Sequence, residues 1–264
     1  MKQPKRTFLT FLYEMNLFCQ RLYTACRKKP TYQDENLLFE DTFSGKQLDG
    51  RKWRRCPRQY RHGVLDVWDH DMSYLDGEGH LVLRAEWDEK NHCVRSGAVD
   101  TNGRFLGGFG YYEASICFPV SPGTWGAFWL MCGNVFELGG GVEIDVVESI
   151  FNERGECNAA LHWDGYKEHH KTLHSGSLTN HNIYDGQFHT FALNRTEEAY
   201  TFYIDGKEIW QVTPERLAPC ADGGYMLLSV EGADWAGTGS PECIKALPSH
   251  MLVDYVRVYK HKPE

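Results

Sequence analysis

The chain has 264 residues, of which 42% are apolar and 14% aromatic, and its formal net charge is −8. This length and apolar content allow one domain with a sizeable core and exclude a disordered or collagen-like chain. The acidic balance argues against a nucleic-acid partner, because binding phosphates needs a basic face. The aromatic residues, together with 26 glycines, indicate a β-rich fold.

The first predicted element is an amphipathic helix over residues 7–24, inside a basic segment that we assign to residues 1–36. Residues 1–30 contain seven basic residues and one acidic residue, which leaves a net charge of −14 for the rest. We expect the helix to dock on the body or on another subunit, which would form a homo-oligomer; binding to a membrane surface is the less favoured alternative. Its apolar positions recur at helical spacing: Phe8, Phe11, Leu12, Met15, Phe18, Cys19 and Leu22.

The same N-terminus determines the expected location. Residues 1–12 resemble the start of a signal peptide, but Glu14 and Gln20 interrupt the apolar run. A cytoplasmic protein is therefore expected, and no segment is long enough to span a bilayer. Secretion or a lipid anchor is the alternative, because residues 23–26 resemble a lipoprotein cleavage site. Nine cysteines without a C-x-x-C pair indicate reduced thiols rather than a disulfide framework.

From residue 37 onward the pattern changes to short alternating strands separated by turn residues. The strongest hairpin signal is Asp205-Gly206 between two alternating runs. No βαβ spacing is present, so the chain is predicted to be an all-β sandwich or barrel. The strands predicted from alternation lie at residues 38–43, 73–75, 80–85, 110–118, 188–193, 199–204, 207–212 and 252–259.

The most informative strand is residues 139–148, with the sequence GGGVEIDVVE. On a regular strand Glu143 and Asp145 share one face, whereas Glu148 points to the other. One β-bulge at Val146-Val147 would restore the phase and bring all three carboxylates to the same face. The alternative to a functional site is a solvent-exposed acidic strand face that contributes only to solubility.

This spacing suits hydrolysis of a glycosidic bond. With a bulge, the Cα atoms of Glu143 and Glu148 lie roughly 13 Å apart, and side chains that lean inward leave roughly 5–6 Å between the carboxyl groups. Retaining glycosidases need about 5–5.5 Å, whereas inverting enzymes need about 6.5–9.5 Å. One glutamate could then attack the anomeric carbon while the other protonates the leaving oxygen. Asp145 between them should raise the pKa of the acid.

Three motifs in a fixed order resemble glycoside hydrolase family 16, the laminarinase and lichenase family. They are residues 110–115 (GYYEAS), 123–130 (GTWGAFWL) and 143–148 (EIDVVE). Weaker similarities lie at residues 39–43, 96–98, 202–207 and 253–259. The resemblance covers residues 37–260 and implies a concanavalin-like β-jelly-roll sandwich of two curved antiparallel sheets with a substrate cleft on the concave face.

The resemblance also implies roles for individual residues. Glu143 matches the nucleophile, Asp145 the assisting carboxylate and Glu148 the acid/base. The other matches are substrate-binding positions or a metal position: Trp125 and Trp129 in the sugar subsites before the cleaved bond, His162 beside the acid/base, Trp235 on a loop at the cleft, and Asp254 with residues 40–41 at a structural calcium. Core packing of the two tryptophans and a structural role for His162 are the alternatives. No cofactor is required for the chemistry.

The expected activity is therefore endo-hydrolysis of a polysaccharide or oligosaccharide with β-1,3 or β-1,3-1,4 glucan linkages. A β-galactan hydrolase and a xyloglucan-type transglycosylase would use the same site, and a non-catalytic glycan-binding jelly roll is the rival of another class. Three departures from the family pattern put the substrate in doubt. One is the unusual run of residues 162–166 (HWDGY), which is followed by His169, His170 and His174. Gly126 replaces the usual proline, and residues 139–142 (GGGV) replace the usual segment before the catalytic strand. His170 and His174 have i,i+4 spacing, but a strand or loop there disfavours metal ligation.

Overall fold

The computed structural model describes residues 34–61, 65–151, 155–178, 182–213 and 223–264. The predicted helix over residues 7–24 lies outside these ranges, so the helix, the oligomer that it would form and the cytoplasmic location stay predictions. The boundary at residue 36 also stays a prediction. None of the helices in the described ranges has the length and hydrophobicity that a membrane span requires.

Eighteen strands are present in the described ranges. In chain order they are β1 (Leu37–Asp41), β2 (Arg54–Arg55), β3 (Gln59–Arg61), β4 (Asp66–Trp68), β5 (Ser73–Leu75), β6 (Leu81–Asp88), β7 (Cys93–Ser96), β8 (Ala98–Asp100), β9 (Gly110–Cys117), β10 (Thr124–Gly133), β11 (Gly141–Ile150), β12 (Cys157–Trp163), β13 (Lys171–His174), β14 (His189–Arg195), β15 (Tyr200–Ile204), β16 (Lys207–Val212), β17 (Gly224–Gly232) and β18 (Ser249–Tyr259). One short helix, α1 (Pro241–Ala246), and the 3-10 turns His70–Met72 and Asp234–Ala236 complete the elements.

The strands form two sheets, which confirms the all-β prediction. The eleven-stranded sheet has the order β16-β15-β14-β9-β18-β6-β7-β4-β3, with β1 beside β18 and β5 beside β6. The seven-stranded sheet has the order β13-β12-β11-β10-β17-β8-β2. Pairing is antiparallel throughout except between β4 and β7. The predicted hairpin is also confirmed, because Asp205 and Gly206 both have positive φ, as its two-residue turn requires.

Strand β10 shows how the sandwich separates its two faces. All ten of its residues are buried. Phe128 and Leu130 belong to the main hydrophobic cluster, which fills the space between the sheets. Trp125 and Trp129 belong to a second cluster, on the opposite side of the strand, because side chains alternate along it. We call that side of the seven-stranded sheet the outer face.

Steric constraints account for the glycines at two of the departures from the family pattern. Gly126 lies on the inner side of β10, where a Cβ atom would stand 2.7 Å from the ring of Phe118. A side chain at this position would therefore overpack the core. A Cβ at Gly141 would overlap the carbonyl oxygen of Cys132, and one at Gly140 would lie 2.6 Å from the carbonyl oxygen of Asn134. The glycine run thus lets the loop before β11 fold closely onto the end of β10.

Candidate active site

The centre of the candidate site is a β-bulge in β11. Between β10 and β11, Phe128 pairs with Val147 and the next residue, Trp129, pairs with Asp145, so Val146 is extra. The register between β11 and β12 shifts at the same place. Val146 and Val147 both belong to the main hydrophobic cluster between the sheets. The bulge that the alternation of apolar and acidic residues predicts is therefore confirmed.

The bulge brings the three carboxylates to one face. Met131, Trp129 and Ala127 lie in the outer-face cluster, and they pair with Glu143, Asp145 and Glu148 respectively. Cross-strand partners point to the same side of a sheet. The three acidic side chains therefore share the outer face, and Glu143 and Asp145 each have a pKa that Glu148 raises.

The three acids have different surroundings. Asp145 is only 4% exposed, and burial, Glu148 and Glu143 together raise its pKa well above the usual range. Burial is also the main cause that raises the pKa of Glu143 to about 7. Glu231, which is buried on β17, adds to both increases. Burial and mutual repulsion therefore favour the protonated forms of Glu143 and Asp145 relative to exposed carboxyl groups.

Two polar side chains that contact the glutamates were not identified from the sequence. The Tyr166 hydroxyl donates a hydrogen bond to Glu143 Oε2 at 2.5 Å, which lowers the pKa of Glu143 against the effect of burial. The Asn158 amide donates to Glu148 Oε2 at 3.1 Å. Asn158 lies on β12, directly opposite Glu148 on β11, so the register of these two strands would have identified it. Tyr166 lies on a loop within the unusual run of residues 162–166, but nothing in the sequence indicated that it contacts Glu143.

His162 lies beside Asp145, with 3.5 Å between Nε2 and Asp145 Oδ2. It pairs with Glu143 across the strands. The expectation from the resemblance placed His162 next to Glu148, whereas Asn158 has that position here. Burial, with smaller contributions from His170 and His174, lowers the pKa of His162 to about 4. Its ring is therefore neutral at neutral pH, and its Nδ1 is 2.9 Å from Nε2 of His170.

The three tryptophans predicted to bind sugar lie on or above the outer face. Trp125 and Trp129 are 6% and 7% exposed, and Trp235 is 57% exposed. The ring centroids of Trp125 and Trp235 are 4.6 Å apart. The Trp129 indole N–H donates to Ser229 Oγ at 3.2 Å. Their positions rule out packing between the sheets for Trp125 and Trp129, because both belong to the outer-face cluster.

The outer face also carries an ion pair that sequence reasoning missed. Arg61 Nε lies 3.2 Å from Glu231 Oε2, and the Arg61 guanidinium lies 4.3 Å from the centre of the Trp68 ring. Arg61 lowers the pKa of Glu143, whereas Glu231 raises it. The two members of the ion pair therefore have opposite electrostatic effects on the pKa of Glu143.

A cavity of about 430 Å³ opens at the Glu148 end of the site, between β11, β12 and Trp235. It has room for part of a bound sugar chain and places Glu148 at its wall. Its lining includes Glu148, Ile150, Asn158, His174 and Trp235.

The predicted calcium site stays a prediction. Asp41 accepts hydrogen bonds from the Trp53 indole and the Phe43 backbone N–H, and Glu40 forms an ion pair with Arg257. Among the described residues, no group of three potential metal donors includes Asp254. Protein donors therefore already bind the two carboxylates of residues 40–41. Three potential metal donors do lie within 4.8 Å of one another, on Glu143, Asp145 and His162. These residues belong to the candidate active site.

Comparisons with known proteins place the chain among glycosyl hydrolases. The family model for glycosyl hydrolases family 16 matches residues 66–254. The chain is 23% identical to glucan endo-1,3-beta-glucosidase A1 of Niallia circulans, over 88% of this chain and 39% of that protein. It is 26% identical to a beta-glucanase of Rhodothermus marinus, over 98% of this chain and 96% of that protein. The chain thus spans about two fifths of the first of these two relatives and nearly all of the second.

Solved structures share the fold. A family 16 enzyme of Bacteroides ovatus, solved in complex with a mixed-linkage glucan product, superposes with a TM-score of 0.72 at 22% identity. The alignment covers 84% of this chain and 100% of that one. At this level of identity the likeness shows the fold, a β-jelly-roll sandwich of two sheets, as the sequence resemblance implied.

Proposed function

The chain belongs to glycosyl hydrolases family 16, and from that premise we propose that it is a retaining endo-glycoside hydrolase of a β-glucan. Glu143 is the proposed nucleophile, Asp145 the assisting carboxylate and Glu148 the acid/base. The observation that carries the proposal is the bulge at Val146, because it turns Glu148 to the face that already holds Glu143 and Asp145. A regular strand would direct Glu148 into the sandwich.

In the first step, Glu143 attacks the anomeric carbon while Glu148 donates a proton to the departing glycosidic oxygen. The products are a glycosyl ester of Glu143 and a free sugar chain. In the second step, Glu148, now ionised, takes a proton from water, and the resulting hydroxide displaces Glu143 from the anomeric carbon. The configuration is inverted twice and is therefore retained.

The surroundings of each acid support this division of roles. Tyr166 donates to Glu143 and so favours the ionised form that a nucleophile needs. Asp145 is buried beside two glutamates, which raises its pKa and so favours its protonated form relative to that of an exposed aspartate. The site then avoids holding three full negative charges together. Asn158 holds one oxygen of Glu148, while Glu148 also lines the cavity beside Trp235, where it could contact a bound sugar chain.

The proposed substrate is a β-1,3 or β-1,3-1,4 glucan. The support is the names of the two glucan-acting relatives and the net charge of −14 on residues 31–264, which suits a neutral polysaccharide. Trp235, which is 57% exposed, offers apolar ring surface of the kind that contacts the C–H faces of sugars, and Trp125 packs beside it. A β-galactan or xyloglucan substrate would use the same carboxylates, so the substrate test includes those polymers.

The test is release of reducing ends from laminarin, lichenan, agarose and xyloglucan by the wild type and by Glu143→Gln. We expect cleavage of laminarin or lichenan by the wild type, and a loss on the order of 10³-fold or more in the variant. Glu208→Gln is the matched control, since Glu208 is exposed on β16 of the other sheet. Binding without cleavage, unchanged in Glu143→Gln, would instead indicate a glycan-binding protein.

A further inference from the structure

Exposed apolar side chains are grouped next to Glu143, at the end of the site opposite Trp235. Phe136 and Leu138, on the loop before β11, are 59% and 63% exposed, and Tyr166, on the loop after β12, is 42% exposed. The Phe136 and Tyr166 rings make an edge contact, with centroids 5.5 Å apart and planes at 66°. Contiguous exposed apolar side chains are a feature of ligand-binding grooves.

Backbone and side-chain hydrogen bonds fix the two loops to each other. Asp164 Oδ1 accepts from the Gly139 N–H at 2.7 Å, and the Gly165 N–H donates to the Val135 carbonyl at 2.7 Å. Lys171 forms an ion pair with Asp164 at 2.8 Å. The aromatic side chains are therefore presented on a connected support, which reduces the entropy lost when a ligand binds.

This aromatic pair is continuous with the catalytic carboxylates. The Tyr166 hydroxyl is 2.5 Å from Glu143 Oε2, so its ring adjoins the place where the attacked sugar must lie. Glu148, the cavity and Trp235 occupy the other end of the site. A polysaccharide that spans the site would consequently have aromatic surface at both ends.

We propose that Phe136 and Tyr166 form a binding platform for the sugar ring that neighbours the one attacked by Glu143. The inference rests on the proposed function. Its occupant is a neutral β-linked pyranose of the substrate chain, whose C–H face packs on the exposed Phe136 ring. An anionic sugar is disfavoured, because Glu137 lies on the same loop and Glu143 lies beneath Tyr166.

The test measures binding separately from cleavage. Affinity electrophoresis with laminarin, lichenan and agarose is performed on the Glu148→Gln protein, in which Glu143 and its bond from Tyr166 are intact. One of these polysaccharides should slow the migration of the Glu148→Gln protein. Adding Phe136→Ala to that protein should weaken its binding to this polysaccharide about tenfold, which corresponds to ~1.4 kcal/mol. Phe136→Tyr should restore it. Phe188→Ala, which removes a 38% exposed ring that stacks on His80 just before β14 of the other sheet, is the control and should leave binding unchanged.

The outcomes separate this inference from the proposed function. Equal binding by the Phe136→Ala and Phe188→Ala proteins would overturn the platform, even if the wild type releases reducing ends. Platform-dependent binding by a wild type that cleaves none of the polysaccharides would overturn the proposed hydrolase and leave the platform in place. In an active protein, Phe136→Ala should raise KM for long chains with little change in kcat, and loss of kcat alone would contradict a binding role.

Discussion

Replacing Tyr166 with phenylalanine should change how the activity depends on pH. The substitution removes the hydroxyl that donates to Glu143 Oε2 at 2.5 Å and leaves the ring in place. A hydrogen bond to a charged group contributes about 1.5–3 kcal/mol, and 1.36 kcal/mol corresponds to one pKa unit. The pKa of Glu143, already raised to about 7 by burial, should therefore rise by roughly one unit or more.

The direction of the change follows from the proposed role of Glu143 as the nucleophile. A nucleophile must be ionised, so activity falls as the pH drops through the pKa of Glu143. A higher pKa moves this acidic limb of the kcat/KM profile to higher pH. At pH values below the pKa of Glu143, the activity of Tyr166→Phe should therefore be about tenfold or more lower than that of the wild type. The reason is that one pKa unit is a tenfold change in the ionised fraction. At high pH, where Glu143 is ionised in both proteins, the two rates should converge.

The assay is reducing-end release from the best polysaccharide substrate over a pH series. Tyr203→Phe is the matched control, because Tyr203 lies on β15 of the other sheet and its ring contacts Lys262 and Tyr111. If the acidic limb of Tyr166→Phe coincides with those of the wild type and the control, the hydrogen bond does not set the ionisation of Glu143 and the reasoning fails.

Three further predictions concern the acid/base, the core and the neutral histidine. Glu148→Gln should lower kcat about 10²–10⁴-fold and abolish the basic limb of the profile; a preserved basic limb would assign the acid elsewhere. Gly126→Ala should reduce the free energy of unfolding by about 1–3 kcal/mol, because a Cβ there lies 2.7 Å from Phe118. Thermal unfolding measures this, and an unchanged Tm would contradict it. His162→Ala should lower kcat without moving either limb above about pH 5, because the pKa of His162 is about 4; a displaced limb would show that His162 titrates during turnover.

The catalytic strand could be predicted from the sequence because its pattern contains an irregularity. Alternation holds from Val142 to Asp145 and then fails at Val146-Val147, and one extra apolar residue between acidic ones has few structural solutions. The hairpin at Asp205-Gly206 was predictable for a similar reason, since its turn requires two residues that tolerate positive φ. In both places local sequence alone determines the backbone.

The partners of the carboxylates could not be predicted in this way. Asn158 and His162 depend on which residue of β12 stands opposite each residue of β11, and that register follows from packing rather than local pattern. Tyr166 reaches Glu143 from a loop whose path depends on Asp164 binding the Gly139 N–H. The short strands β2 to β4 have two or three residues each, which is too few for alternation to be recognised.

The extra valine makes this strand tolerant of one genetic lesion and leaves it sensitive to others. An in-frame loss of the codon for Val146 would remove the residue that has no partner on β10, and Glu143, Asp145 and Glu148 would then alternate on the outer face of a regular strand. Such a protein should fold, although residue 148 would lie about 3.3 Å closer to residue 143 along the strand. Loss of Ile144, where the strand is regular, would instead shift the phase and direct a carboxylate into the apolar interior.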